Sequence, residues 1–178
     1  CKLTGLSTFK LWKISQAGHT GVFTLVQSAL QKLTAGDVDL CIVGGVESYL
    51  LEDRLDALDN AWRLRSARTV DGFIPGEGAV MLLLETAAHA QARGATVLAT
   101  ISALGEATEA ETLPSQKNST GEGLTHAIET ALAATPSPHG MDTVYGSLNG
   151  ESYYAFEWGV TLTRLHTALA GMQPLVHP

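Results

Sequence analysis

Apolar residues recur at Val22, Leu25, Val26, Ala29, Leu30 and Leu33, the three- and four-residue spacing that lines one face of an α-helix. Gly36 stops that pattern, and the next apolar residues, Val38 to Val43, form a short run bounded by Gly44 and Gly45. The spacing predicts a buried helix followed by a buried strand. Upstream, Ala17-Gly18-His19-Thr20-Gly21 reads as a turn. It places His19 at the N-terminal end of the helix, where unpaired backbone N–H groups and the helix dipole favour negative charge. Leu11 to Ser15 alternates in polarity and predicts a short strand entering this turn.

Beyond Glu47, Leu50 to Trp62 has helical apolar spacing with Glu52 and Asp53 in its first turn, and Arg63 to Asp71 is a charged loop. The block Asp71-Gly72-Phe73-Ile74-Pro75-Gly76-Glu77-Gly78 leads into a nearly unbroken apolar run from Ala79 to Leu84, the pattern of a strand buried on both faces. Its glycines permit tight turns, but it lacks the lysine and spacing of a phosphate-binding P-loop. Glu77 is expected to be a buried carboxylate that fixes the loop through hydrogen bonds.

Thr86 to Arg93 predicts a short helix stopped by Gly94, and Ala95 to Leu104 is rich in strand-forming residues. Glu106 to Gly121 reads as an exposed connection. Leu124, Ile128, Ala131 and Leu132 mark another helix face, ended by the proline-containing stretch from Thr135 to Gly140. A third block, Asp142 to Ser152, precedes an amphipathic stretch through Trp158 and Leu165. This alternation of helices and strands implies an α/β layered fold.

With 178 residues, 45% of them apolar, the chain can bury a sizeable core. The formal charge of −7 argues against a nucleic-acid groove or an anionic membrane surface, both of which need clustered Lys and Arg. Neither a transmembrane-length apolar run nor a signal-peptide pattern is present, so a soluble cytoplasmic protein is expected. Cys1 and Cys41 are too few for a disulfide framework, and Cys41 reads as a small core residue. The six histidines have no metal-ligand spacing and there is no Cys-x-x-Cys pair, so neither metal nor cofactor is implied. Ser48, Ser147 and Ser152 lie outside any Gly-x-Ser-x-Gly elbow.

The Ala17 to Glu47 and Asp71 to Glu85 segments resemble the thiolase-like condensing enzymes, the β-ketoacyl-[acyl carrier protein] synthases and their polyketide-synthase relatives. In that family a nucleophilic cysteine begins a long buried helix, which leads through a Gly-Asp-x-Asp turn into a strand ending Gly-Gly-x-Glu. Gly36-Asp37-Val38-Asp39 and Gly44-Gly45-Val46-Glu47 match those motifs, and Asp71 to Ala79 matches the family's Asp-Gly-Phe-x-x-Gly-Glu-Gly-Ala.

The resemblance implies a layered αβαβα thiolase-like fold, of which this chain covers only part. Residues 1–104 would be the second part of the N-terminal half, and residues 105–178 the start of the C-terminal half. It also implies fatty-acid or polyketide-type acyl chemistry, with acyl carrier protein or acyl-CoA thioesters as partners. A homodimer, or a heterodimer with an active synthase, would form through Leu40 to Val43. Within such a fold Tyr153, Tyr154, Phe156 and Trp158 are expected in the core, rather than lining an acyl tunnel or a partner face.

Counting back without gaps from Gly36, the family's nucleophilic cysteine falls on His19; Leu148-Asn149-Gly150-Glu151 occupies the place of the family's His-Gly-Thr loop, so the resemblance puts the loop histidine at Asn149. Condensation needs a thiolate to hold the acyl group, whereas an acyl-imidazole hydrolyses readily. The resemblance therefore implies an altered site. In one reading His19 is a general base, Asn149 an oxyanion donor, and the reaction is decarboxylation or hydrolysis of an acyl thioester. In the other, His19 is a neutral imidazole filling a hole and Asn149-Gly150 shapes a turn, as in a non-catalytic partner subunit. The family's chain-length factors often carry glutamine at the cysteine position, but Gln16 falls three residues early here.

Overall fold

A computed structural model describes residues 13–134 and 141–169, with His19 described through its backbone. The chain forms two compact units, one made of residues 13–47 and 77–100, the other of 48–76 and the described residues from 101 onward.

The first unit is built on helix α1 (Gly21–Thr34), strand β1 (Leu40–Ser48, its last residue assigned to the second unit), strand β2 (Glu77–Glu85) and helix α3 (Ala87–Ala92). Val26, Ala29 and Leu33 are buried on one face of α1, as the spacing predicts. Burial of Val26 and Leu33 contributes about 1.5–3 kcal/mol each, well above the few tenths that separate most helix propensities. Packing therefore decides this helix. It ends in a Schellman arrangement in which Gly36, at φ +72°, lets Asp37 N–H donate to the Lys32 carbonyl at 3.1 Å. α3 ends in the same way: Gly94 has φ +67° and Ala95 N–H donates to the Ala90 carbonyl at 2.9 Å.

β1 and β2 pair in a two-stranded sheet, and α1 contacts β2. The sequence places the end of the first strand at the paired glycines, but β1 runs through them to Ser48. A Cβ on Gly45 would come within 2.8 Å of Val22 Cγ2, and one on Gly44 would overlap Val80 and Met81 of β2. These glycines are contact points within the strand, not its boundary.

Burial of β2 departs from expectation, since Glu77 to Leu83 are exposed and only Leu84 and Glu85 are half-buried. A continuous apolar run reads as a strand with neighbours on both edges and both faces. Among the described residues it has one neighbouring strand and α1. Residues 95–104 likewise form no strand, because strand propensity without a hydrogen-bonding neighbour leaves only extended chain, and Leu98 is 94% exposed. Of the strand expected over Leu11 to Ser15, the first two residues lie outside the described residues and 13–15 are not in a strand. The expected helix ending over 135–140 lies outside the described residues as well.

The second unit holds helix α2 (Glu52–Asn60), α4 (Glu122–Ala134) and α5 (Ser152–Arg164). α2 closes on a non-glycine residue in the left-handed region: Trp62 has φ +56°, and Arg63 N–H donates to the Leu58 carbonyl at 2.9 Å. The loop from Arg63 turns at Ser66–Thr69 and returns, so that Phe73 bridges Leu64 through Phe73 N–H to the Arg63 carbonyl and Arg65 N–H to the Phe73 carbonyl, both 3.0 Å.

α4 packs on α5. The junction is polar, because Thr125 and the fully buried Thr161 both donate to the Gly121 carbonyl, at 2.6 and 3.3 Å. The Glu109 carboxylate accepts from Thr120 Oγ1 at 2.6 Å and Gly123 N–H at 3.1 Å, tying the start of α4. Burial opposes ionisation of Glu109, but these hydrogen bonds outweigh it and hold its pKa below the ordinary value.

Candidate active site

In the first unit, the expected turn before α1 is a 3₁₀ turn, Gly18–Thr20, with Gly18 at φ +56°. Thr20 Oγ1 donates to the Ala17 carbonyl at 2.8 Å, and a Cβ on the buried Gly21 would stand 3.3 Å from Ser15 Oγ. The backbone at His19 is thus held immediately ahead of α1. Thr20 provides no side-chain cap and the first turn of α1 holds no acidic residue. The His19 side chain lies outside the described residues.

Asn149 belongs to the second unit. Its carboxamide is fixed at both ends by Glu151: Nδ2 donates to Glu151 Oε2 at 2.6 Å, and Oδ1 accepts from Glu151 N–H at 3.0 Å. The intervening Gly150 has φ +99°, and a Cβ there would come 3.0 Å from the Gly72 carbonyl, so only glycine suits this turn. The next residue is also anchored. Ser152, which opens α5, donates its N–H and its hydroxyl to the two oxygens of Asp71, each at 2.6 Å. Those bonds lower the Asp71 pKa.

The Glu151 carboxylate is 5% exposed, and a buried carboxylate is costly unless it is paired and hydrogen-bonded. Arg63 supplies it with a fork of two hydrogen bonds, Nε to Oε1 at 2.7 Å and Nη2 to Oε2 at 2.9 Å, and Glu151 in return raises the Arg63 pKa. The Arg63 guanidinium also lies 5.5 Å over the Phe73 ring. An open cleft of 240 Å³ borders this network, lined in part by Trp62, Arg63, Asp71, Glu151 and Tyr153.

Sequence reasoning singles out Asn149 as a candidate but not the Arg63 and Glu151 that hold its loop. They stand 88 residues apart, and a lone arginine in a charged loop carries no local signal of its partner. Glu77 is exposed rather than buried, because β2 is uncovered at its start. Cys41 is half-buried rather than a core residue, and burial pushes its thiol pKa up. Of the four aromatics expected in the core, Trp158 is buried, Tyr153 and Tyr154 are half-buried, and Phe156 is exposed on the outer face of α5. Among the described residues no three His, Cys, Asp or Glu side chains are grouped to hold a metal ion, and no helix is long and apolar enough to cross a membrane.

Comparison with known proteins accords with this architecture. The family described as "Beta-ketoacyl synthase, N-terminal domain" matches residues 15–90, which include the His19 turn and the block around Glu77. The 3-oxoacyl-[acyl-carrier-protein] synthase 2 of Mycobacterium bovis is 30% identical over 171 residues, covering 85% of this chain and 39% of the relative. The chain thus spans about two fifths of the length of that curated relative.

Among solved structures, a beta-ketoacyl synthase from Burkholderia phymatum superposes with a TM-score of 0.71 at 20% identity, over 89% of this chain and 40% of that one. The AntDE:AntF complex, a type II PKS acyl-carrier protein with its ketosynthase bound to the hexaketide, gives 0.72 at 18% identity, over 85% of this chain and 40% of that one. Motifs, family match, sequence relatives and fold agree: the chain belongs to the thiolase-like condensing-enzyme superfamily, as a β-ketoacyl synthase-like member covering part of the α/β fold.

Proposed function

We propose that this protein acts in fatty-acid or polyketide-type acyl-thioester chemistry with an altered active site, in which His19 and Asn149 replace the family's cysteine and loop histidine. The observation that supports this reading is the turn at Gly18–Thr20, which holds an imidazole-bearing residue directly ahead of α1, at the position that a gap-free count from Gly36 gives to the family's thiol. An imidazole does not store an acyl group, so ordinary condensation fails. A neutral imidazole still accepts a proton or activates water, and a carboxamide N–H still stabilises an enolate or a tetrahedral oxyanion. Decarboxylation or hydrolysis of a carrier-bound or CoA-bound acyl thioester is the chemistry that remains.

In this reading the chain carries the second part of the N-terminal thiolase-like half up to residue 104 and the start of the C-terminal half beyond it. The partner is an acyl carrier protein, the working form is a homodimer or a heterodimer with a synthase, and the location is the cytoplasm. Exposed Leu40 and Ile42 on β1 support pairing through that strand.

A second reading, a non-catalytic subunit that pairs with an active synthase, is favoured by one observation. Both ends of the Asn149 carboxamide are engaged by Glu151, which is what a loop-shaping asparagine requires. The test is product analysis after incubating the full-length protein with malonyl- and acyl-loaded carrier protein, beside His19→Ala. Carbon dioxide or free acid that disappears in the variant supports the enzymatic reading. No turnover by either protein, together with binding to a synthase, supports the subunit.

A further inference from the structure

We infer that Arg63 and Glu151 are positioning residues that hold the Asn149 carboxamide as a fixed hydrogen-bond donor; this rests on the proposed role of Asn149 at the reacting carbonyl. The nitrogen of a carboxamide carries two hydrogens. Glu151 Oε2 takes one at 2.6 Å. Glu151 N–H binds Oδ1 at 3.0 Å, so the amide plane cannot rotate or exchange its two ends without losing both bonds. The second N–H has no partner among the described residues and keeps one orientation. Preorganised donors of this kind are what stabilise charge developing in a transition state.

A bare carboxylate beside that donor would oppose its use, because a developing oxyanion would meet a negative charge one hydrogen bond behind the amide. Arg63 removes the objection, since its two-pronged pairing neutralises Glu151. Arg63 is itself held by its backbone bonds to Leu58 and Phe73 and by the Phe73 ring under its guanidinium. Rigidity therefore passes from the end of α2 through Arg63 and Glu151 to Asn149. Lysine in place of Arg63 supplies charge without the fork, and glutamine in place of Glu151 supplies an acceptor without the charge.

The test has two readouts on the full-length protein. The first is the side-chain amide signal of Asn149 by NMR after asparagine-selective ¹⁵N labelling, assigned with Asn149→Asp. The hydrogen-bonded proton signal of the pair is expected to be displaced from its free-amide position, moving back toward it in Arg63→Ala and Glu151→Ala and partly restored in Arg63→Lys and Glu151→Gln. The second is the rate of carbon dioxide release from malonyl-loaded carrier protein. Arg63→Ala should lower kcat roughly 10- to 100-fold with KM little changed, and Arg63→Lys should recover part of it. An amide signal unchanged in Arg63→Ala overturns the inference, as does an unchanged kcat in an active protein. A signal that moves back in the variants of a protein without turnover upholds the positioning and removes the enzymatic reading instead.

Discussion

Glu85 and Arg93, eight residues apart, close one turn of chain around α3: Arg93 Nε donates to Glu85 Oε2 at 2.8 Å, and His89 Nδ1 stands 2.6 Å from the same oxygen. Arg93 first, then His89, hold the Glu85 pKa down to about 2 from 4.5. A carboxylate depressed on folding contributes stability above its unfolded pKa and loses that contribution as pH falls through the folded one. The denaturation midpoint should therefore decline between pH 4.5 and 2. Glu85→Gln should flatten that decline, leaving neutral-pH stability only slightly lower because its partners His89 and Arg93 are substantially exposed. Denaturant midpoints at several pH values check this, and parallel curves for the two proteins would refute it.

Trp62 occupies the position after α2 that glycine normally takes, and an L-residue there costs about 1–2 kcal/mol. Against this, the Arg68 guanidinium 5.8 Å over its ring returns about 0.5–1 kcal/mol at an exposed site. Glycine also adds freedom to the unfolded chain, about 0.5–1 kcal/mol. The terms nearly cancel, so Trp62→Gly should shift stability by less than about 1 kcal/mol. Trp62→Val, which keeps the strain and loses the ring, should cost more than Trp62→Gly. Thermal unfolding of both variants decides the order.

Gly45→Ala drives a methyl to 2.8 Å from Val22 Cγ2, so α1 and β1 must part or Val22 must change rotamer. Overpacking of this kind costs about 1–3 kcal/mol. Pairing it with Val22→Ala should recover most of the loss, and a double-mutant cycle with no coupling would refute the contact.

How much of this was legible in the sequence follows the range of each interaction. α1 is readable because its apolar period, Gly36 stop and buried face are all local, and α3 because Thr86 and Gly94 cap it within a few residues. The strand character of β2 is local as well, but its exposure is not, because burial depends on which elements cover it. Ala95 to Leu104 fails as a strand for the same reason. The Arg63 to Glu151 fork and the Asp71 to Ser152 cap join positions 88 and 81 residues apart, and no periodicity reports such pairs. The motif resemblance singles out Asn149 but carries no sign of the Glu151 contacts that hold it.

In the proposed function His19 stands where the family's acyl-holding cysteine stands, and restoring the thiol tests this directly. The full-length protein and its His19→Cys variant are incubated with acyl-loaded carrier protein and weighed intact by mass spectrometry. An acyl adduct is expected on the variant, stable until treated with hydroxylamine, and none on the unsubstituted protein. A folded His19→Cys protein that takes up no acyl group, or a stable adduct on the unsubstituted protein, would contradict it.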